Sequence, residues 1–152
     1  MKILGEKGLG SLLKNILKIV FVLIIVVMII IPIICIITKT ALHPGVYILY
    51  PAVGFFLIIV KQFIGLFYSL ETNTPFSENT VIRLKKAKTG AIGISAYTFL
   101  VTVFAIFIKD FFAVFIYGVA CILFFGVSIA LYILAELFRQ ANDFKEENDL
   151  TI

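Results

Sequence analysis

Tryptophan is missing from this 152-residue chain, histidine occurs once, cysteine twice, and only 14% of the residues carry charge. One histidine, His43 beside Pro44, cannot build a metal cluster. Cys35 and Cys121 stand far apart inside apolar stretches, so neither a zinc site nor a disulfide framework is indicated. HExxH, GxSxG, a phosphate-binding loop and a glycine-rich dinucleotide turn are all lacking. The few acids gather near the carboxy terminus instead of pairing across apolar segments, which leaves general acid–base chemistry without its partners. The expectation is a protein that is not an enzyme, with no cofactor and no metal.

Apolar residues are plentiful: 62% of the chain is hydrophobic and its mean hydropathy is +1.14. Soluble domains average about 45–50% apolar and about 25% charged, so a water-soluble monomer and a disordered chain are both excluded. Four uncharged runs organise the sequence: Ile19 to Thr38 (20 residues), Thr40 to Val60 (21), Thr89 to Ile108 (20) and Phe111 to Ala135 (25). A hydrocarbon core about 30 Å thick takes roughly 20 helical residues, and the runs are apolar on both alternations, which suits helices and not strands. The first run is too long for a signal-peptide core and lacks a small-x-small cleavage site, so it reads as a retained anchor, kinked at Pro32. Only Lys109 and Asp110 part the last two runs. One straight helix through both would be about 75 Å long, so the chain must reverse there. The reading is a single all-α domain: an integral membrane four-helix bundle with spans at about 16–38, 46–70, 89–108 and 111–137, a loop at 71–88 and a helical extension of the last span at 138–152.

Basic residues orient it. Lys2, Lys7, Lys14, Lys18, Arg83, Lys85, Lys86, Lys88, Arg139 and Lys145 fall on one side, against Lys39 and Lys109 on the other. The positive-inside tendency makes both termini and the 71–88 connection cytoplasmic, in a multi-pass protein of the cell membrane. The same arrangement and anionic lipid explain the net charge of +4 without a nucleic-acid partner. Tyr47 and Tyr50 suit the outer interfacial belt.

The connections add detail. Leu9, Leu12, Leu13, Ile16 and Leu17 fit either an amphipathic lead-in at the membrane surface or the first turns of span one. Ser77 suits an N-cap with Glu78 just inside, and Phe76 a staple against the following turn. Leu134, Leu137, Phe138, Ala141 and Phe144 carry helical spacing past the last span, with Arg139–Asp143 and Lys145–Asp149 as i,i+4 pairs. Residues 136–152 carry −3 and residues 71–88 carry +2, which predicts the acidic tail docking on the basic loop. Within the spans Lys61 and Gln62 are the polar interruptions. Lys61 can snorkel, pair with Glu136 or serve a ligand. Ala87, Ala91 and Ser95, and Gly126 with Ala130, form small-xxx-small stripes for packing within or between chains, including a homo-oligomer.

Two segments, TPFSENTVIRLKK and LAELFRQANDFKEENDLTI, resemble the bacterial membrane proteins grouped as domain of unknown function 2975, in which a PFS-type loop precedes the third span and the chain closes on an LAE-x-FR and EENDLT-type ending. The resemblance implies four spans and transfers no catalytic residues. It also implies a neighbouring short helix-turn-helix regulator as partner. The expected function is therefore regulatory: a cytoplasmic surface of Arg83, Lys85, Lys86, Glu136, Arg139, Asp143, Glu146, Glu147 and Asp149 presented to a soluble transcription regulator. The alternatives are an oligomeric transporter or channel subunit, with Lys61, Gln62, Ser95, Thr98, Thr102 and Ser128 as polar lining, and an immunity protein against membrane-active peptides.

Overall fold

The computed structural model describes residues 8–39, 44–72 and 77–150. His43, Phe76, Lys2 and Lys7 fall outside them, as do the side chains of Asp149 and the Lys145–Asp149 pair. Four helices account for nearly all of what is described: α1 (Leu9–Thr38), α2 (Pro44–Glu71), α3 (Glu78–Phe107) and α4 (Phe111–Leu150). Each is long and apolar enough to cross a membrane. The first apolar run does not begin with a separate surface helix. Leu9 to Thr38 is one continuous helix, so the amphipathic stretch forms the opening turns of the span.

Helix ends follow local chemistry. The Ser77 hydroxyl accepts from Thr80 N–H at 3.4 Å, with Glu78 in the first turn where a negative charge suits the dipole. Between α3 and α4 the chain turns over Ile108 to Asp110, with Lys109 left-handed at φ 58°. Asp110 then does what its sequence position did not advertise: its Oδ1 accepts from Ala113 N–H at 3.1 Å and caps α4. Lys39 closes α1 in the same left-handed way.

Consecutive helices run antiparallel and pack in chain order. Among the described residues α3 lies between α2 and α4, and α1 packs on α2 alone, so the four helices do not close into the expected bundle. The centre is a three-helix core of Ile59, Leu84, Ala87, Ala91, Ile94, Leu131 and Ala135, flanked by Phe55, Phe63, Leu66, Phe124 and Phe138. Ala87 and Ala91, fully buried, form half of a small-residue face that lets α4 approach α3. A second small face, Gly90 and Gly93, admits α2: a methyl on Gly93 would fall 2.6 Å from the Phe55 ring. The other predicted stripe points elsewhere. Ala130 is exposed and nothing lies within 4 Å of where a Gly126 side chain would begin, so that stripe takes no part in packing within the chain.

Each neighbouring pair is also tied by one hydroxyl donating to a backbone carbonyl: Tyr50 to Met28 (2.9 Å), Tyr97 to Ile48 (2.6 Å) and Ser95 to Cys121 (3.1 Å). The first has a specific cause. Pro32, inside α1, has no N–H for the carbonyl four residues back, which is that of Met28, and Tyr50 supplies the missing donor from α2. Tyr47 is exposed, whereas Tyr50 is half-buried in this helix-to-helix bond.

Candidate functional site

Charge collects at one end of the molecule, where α1 begins, α2 gives way to α3, and α4 runs on beyond its apolar run. Glu71 is the sole acid between Glu6 and Glu78, and at the end of α2 it meets Lys14 from the first turns of α1 in an ion pair. The two side chains are only 12% and 14% exposed, and the Lys14 ammonium lies 5.6 Å from the centre of the Tyr68 ring. This contact fastens α1 to α2 at the charged end, as Tyr50 does further along. The isolation of Glu71 was the available signal for it. Glu71→Gln is expected to loosen the start of α1, seen as faster hydrogen exchange over residues 9–20, and the exchanged pair Lys14→Glu with Glu71→Lys to restore protection. Unchanged exchange in Glu71→Gln would show that α1 is held by packing alone.

On the opposite flank, α4's extension lies along the opening turns of α3. Between them is a cleft of about 340 Å³ with Val81 and Ile82 as its apolar wall and Glu78, Lys85, Arg139, Asn142, Asp143 and Glu146 around it. The α4 side chains are held by one another. Arg139 bridges Glu136 (2.6 Å) and Asp143 (3.6 Å), and Asn142 donates to Glu146 Oε1 at 2.8 Å. Exposed i,i+3 and i,i+4 pairs of this kind contribute only a few tenths of a kcal/mol each, so they order the rim and do little for stability. Lys88, deeper along α3, is spent on the Tyr132 ring of α4 at 4.7 Å. Beside the cleft, Phe63, Leu66, Phe67 and Leu70 of α2 with Thr80, Leu84, Leu134 and Phe138 line an apolar pocket of about 150 Å³.

The predicted surface residues therefore divide. Lys85, Glu136, Arg139, Asp143 and Glu146 come together at the cleft. Lys86 and Glu147 are exposed and do not line it. Arg83 turns away and lies against Gly65 of α2, where a side-chain methyl would overlap its guanidinium. The α4 extension lies across the cleft from Glu78 and Lys85, and Arg139 forms its ion pairs with Glu136 and Asp143 within α4. Lys61 and Glu136 do not pair, since Glu136 is held by Arg139 and Lys61 is exposed on α2; Gln62 is half-buried. The hydroxyls offered as pore lining are turned onto backbone carbonyls: Thr98 to Ile94, Thr102 to Thr98, Ser128 to Phe125, and Ser95 across to Cys121. Among the described residues, no group of three or more His, Cys, Asp or Glu is arranged to hold a metal ion.

The sequence pattern of DUF2975, a protein of unknown function, matches residues 38–152, about three quarters of the chain. The chain belongs to the DUF2975 family. No curated protein and no solved structure matches it. The matched residues of this DUF2975 protein begin at the last residue of α1, so the family pattern covers α2, α3 and α4, the three helices that share the core, together with the cleft and α4's extension. α1, held on α2 by few contacts, lies outside it.

Proposed function

We propose that this DUF2975 protein is a regulatory membrane protein, with both termini cytoplasmic, whose cleft between α3 and the α4 extension receives a soluble partner. The observation that carries the reading is α4 itself. Its 40 residues make a helix of about 60 Å, twice the hydrocarbon thickness, and the part past Ala135 is charged and stays helical. An exposed Phe144 on this projecting part and the exposed Ile82 of the cleft wall offer apolar contact, with Glu78 and Lys85 of α3 and Arg139, Asp143 and Glu146 of α4 as a polar rim. That combination suits an amphipathic helix laid into a groove. The family resemblance suggests a small helix-turn-helix transcription regulator as the source of that helix.

The test is site-specific crosslinking. A photoreactive residue at Ile82 or Asn142 of the full-length protein, co-expressed with such a regulator, is expected to capture it, and one at Leu123 on the lipid-exposed side of α4 is not. Charge reversal of Lys85 and Arg139 should reduce capture by about tenfold, the order of 1.4 kcal/mol. Equal capture from all three positions, or a partner retained after deletion of residues 140–152, would end this reading. Introduced thiols near position 148 that react from outside intact cells would overturn the orientation separately.

A further inference from the structure

We infer that the groove between α2 and α3 at the charged end is a binding site for the phosphate of an anionic phospholipid, with Arg83 and Lys61 as its two cationic contacts. The Arg83 guanidinium occupies the place where a side chain on Gly65 would begin, half-buried against the bare backbone of α2. Residues four apart on a helix face have Cβ atoms about 5–6 Å apart. Lys61, four residues before Gly65, starts on the same face of α2 one turn deeper, and Ser69 stands one turn to the other side with its hydroxyl donating to the Gly65 carbonyl at 3.2 Å. Arg83 at Gly65 and Lys61 one turn away thus put two cations on one face of α2. Lys86, three residues along α3, adds an exposed third nearby.

Among the described residues Arg83, Lys61 and Lys86 make no ion pair. The acid at the end of α2, Glu71, is held by Lys14 of α1, and Glu136 is held by Arg139 on α4. Cations gathered on one face at the edge of an apolar medium are costly without a counter-ion, and an arginine fork is the side chain best matched to phosphate oxygens.

Depth identifies the anion. α2 has 28 residues and a length of about 42 Å, close to the ~40–45 Å of a bilayer with its headgroups. Gly65, six residues before the helix end, is then about 9 Å from that edge, where headgroups meet acyl chains. Lys61 lies deeper, exposed to lipid, and its flexible stem lets the ammonium rise to the same level. A phospholipid arriving from within the membrane reaches both groups with its phosphate while its chains lie along α2 and α3. The site rests on the membrane reading of the helices and is independent of any soluble partner.

The experiment is native mass spectrometry of the full-length protein released from detergent, with phosphatidylglycerol and phosphatidylcholine offered together. Wild type is expected to retain phosphatidylglycerol about tenfold in preference. Arg83→Gln and Lys61→Gln should each lower that preference at least threefold. Gly65→Leu, which keeps every charge but displaces the guanidinium, should do the same, while Lys145→Gln at the far end of α4 should leave it unchanged. Wild-type preference in both Arg83→Gln and Lys61→Gln would overturn the site, whatever Gly65→Leu does to folding. So would an equal loss in Lys145→Gln, which would mean general charge attraction, or displacement of the lipid by millimolar inorganic phosphate. A chain that fails to fractionate with membranes at all would instead overturn the membrane reading.

Discussion

Gly90→Leu is expected to force α2 and α3 apart and to cost about 1–3 kcal/mol in reversible unfolding, the usual penalty for adding methylenes to a packed interior. A Cβ at Gly90 would fall 2.9 Å from Ile59 Cγ1 and 3.3 Å from the Phe55 carbonyl oxygen. The Ile59 side chain can shift, but the Phe55 oxygen belongs to the α2 backbone and moves only if the helix does. The Tyr97–Ile48 hydrogen bond, further along the same interface, would stretch with it. The matched control is Gly126→Leu. Nothing lies within 4 Å of that position, so this substitution should change stability by no more than about 0.5 kcal/mol in the isolated chain. Equal unfolding midpoints for Gly90→Leu and wild type would mean that α2 and α3 are not held at the separation described. A large effect of Gly126→Leu would instead reveal a second chain packed on that face.

Leu84→Ala is the second large effect, about 2–5 kcal/mol, with the opposite cause. Leu84 is the largest fully buried side chain, 1% exposed, and touches all three core helices through the cluster it shares with Ile59 and Leu131. It also forms part of the wall of the 150 Å³ apolar pocket, so truncation enlarges a space that already exists and that α2 and α4 cannot collapse without breaking their contacts with α3. Leu123→Ala, 62% exposed on α4, removes the same atoms from an exposed position and should cost far less. Comparable losses for the two leucines would deny that α3 is the packing centre.

Charge removal acts at another scale. The pairs around Arg139 are exposed, and breaking them is expected to affect recognition at the cleft and not the fold. The Lys14–Glu71 pair differs because both side chains are largely covered and because it joins two helices that share few other contacts.

The linear chain determined the four helices, the reversal at Lys109 and Asp110, the Ser77 cap and the continuation of α4 past the membrane-length run. Each of these depends on neighbours within a few residues or on the length of an uncharged run, quantities that a sequence carries directly. Tertiary structure alone decided the rest. Apolar runs of this kind are hydrophobic all round, so they do not reveal which face meets a neighbour, and the choice falls to shape. Gly90 and Gly93 admit α2, Ala87 and Ala91 admit α4, and Gly126 with Ala130 stays outside. The same holds for the charges. Whether Glu71 meets Lys14, or Arg83 lies on Gly65 in place of joining the tail, is set by how antiparallel helices bring distant residues to one level.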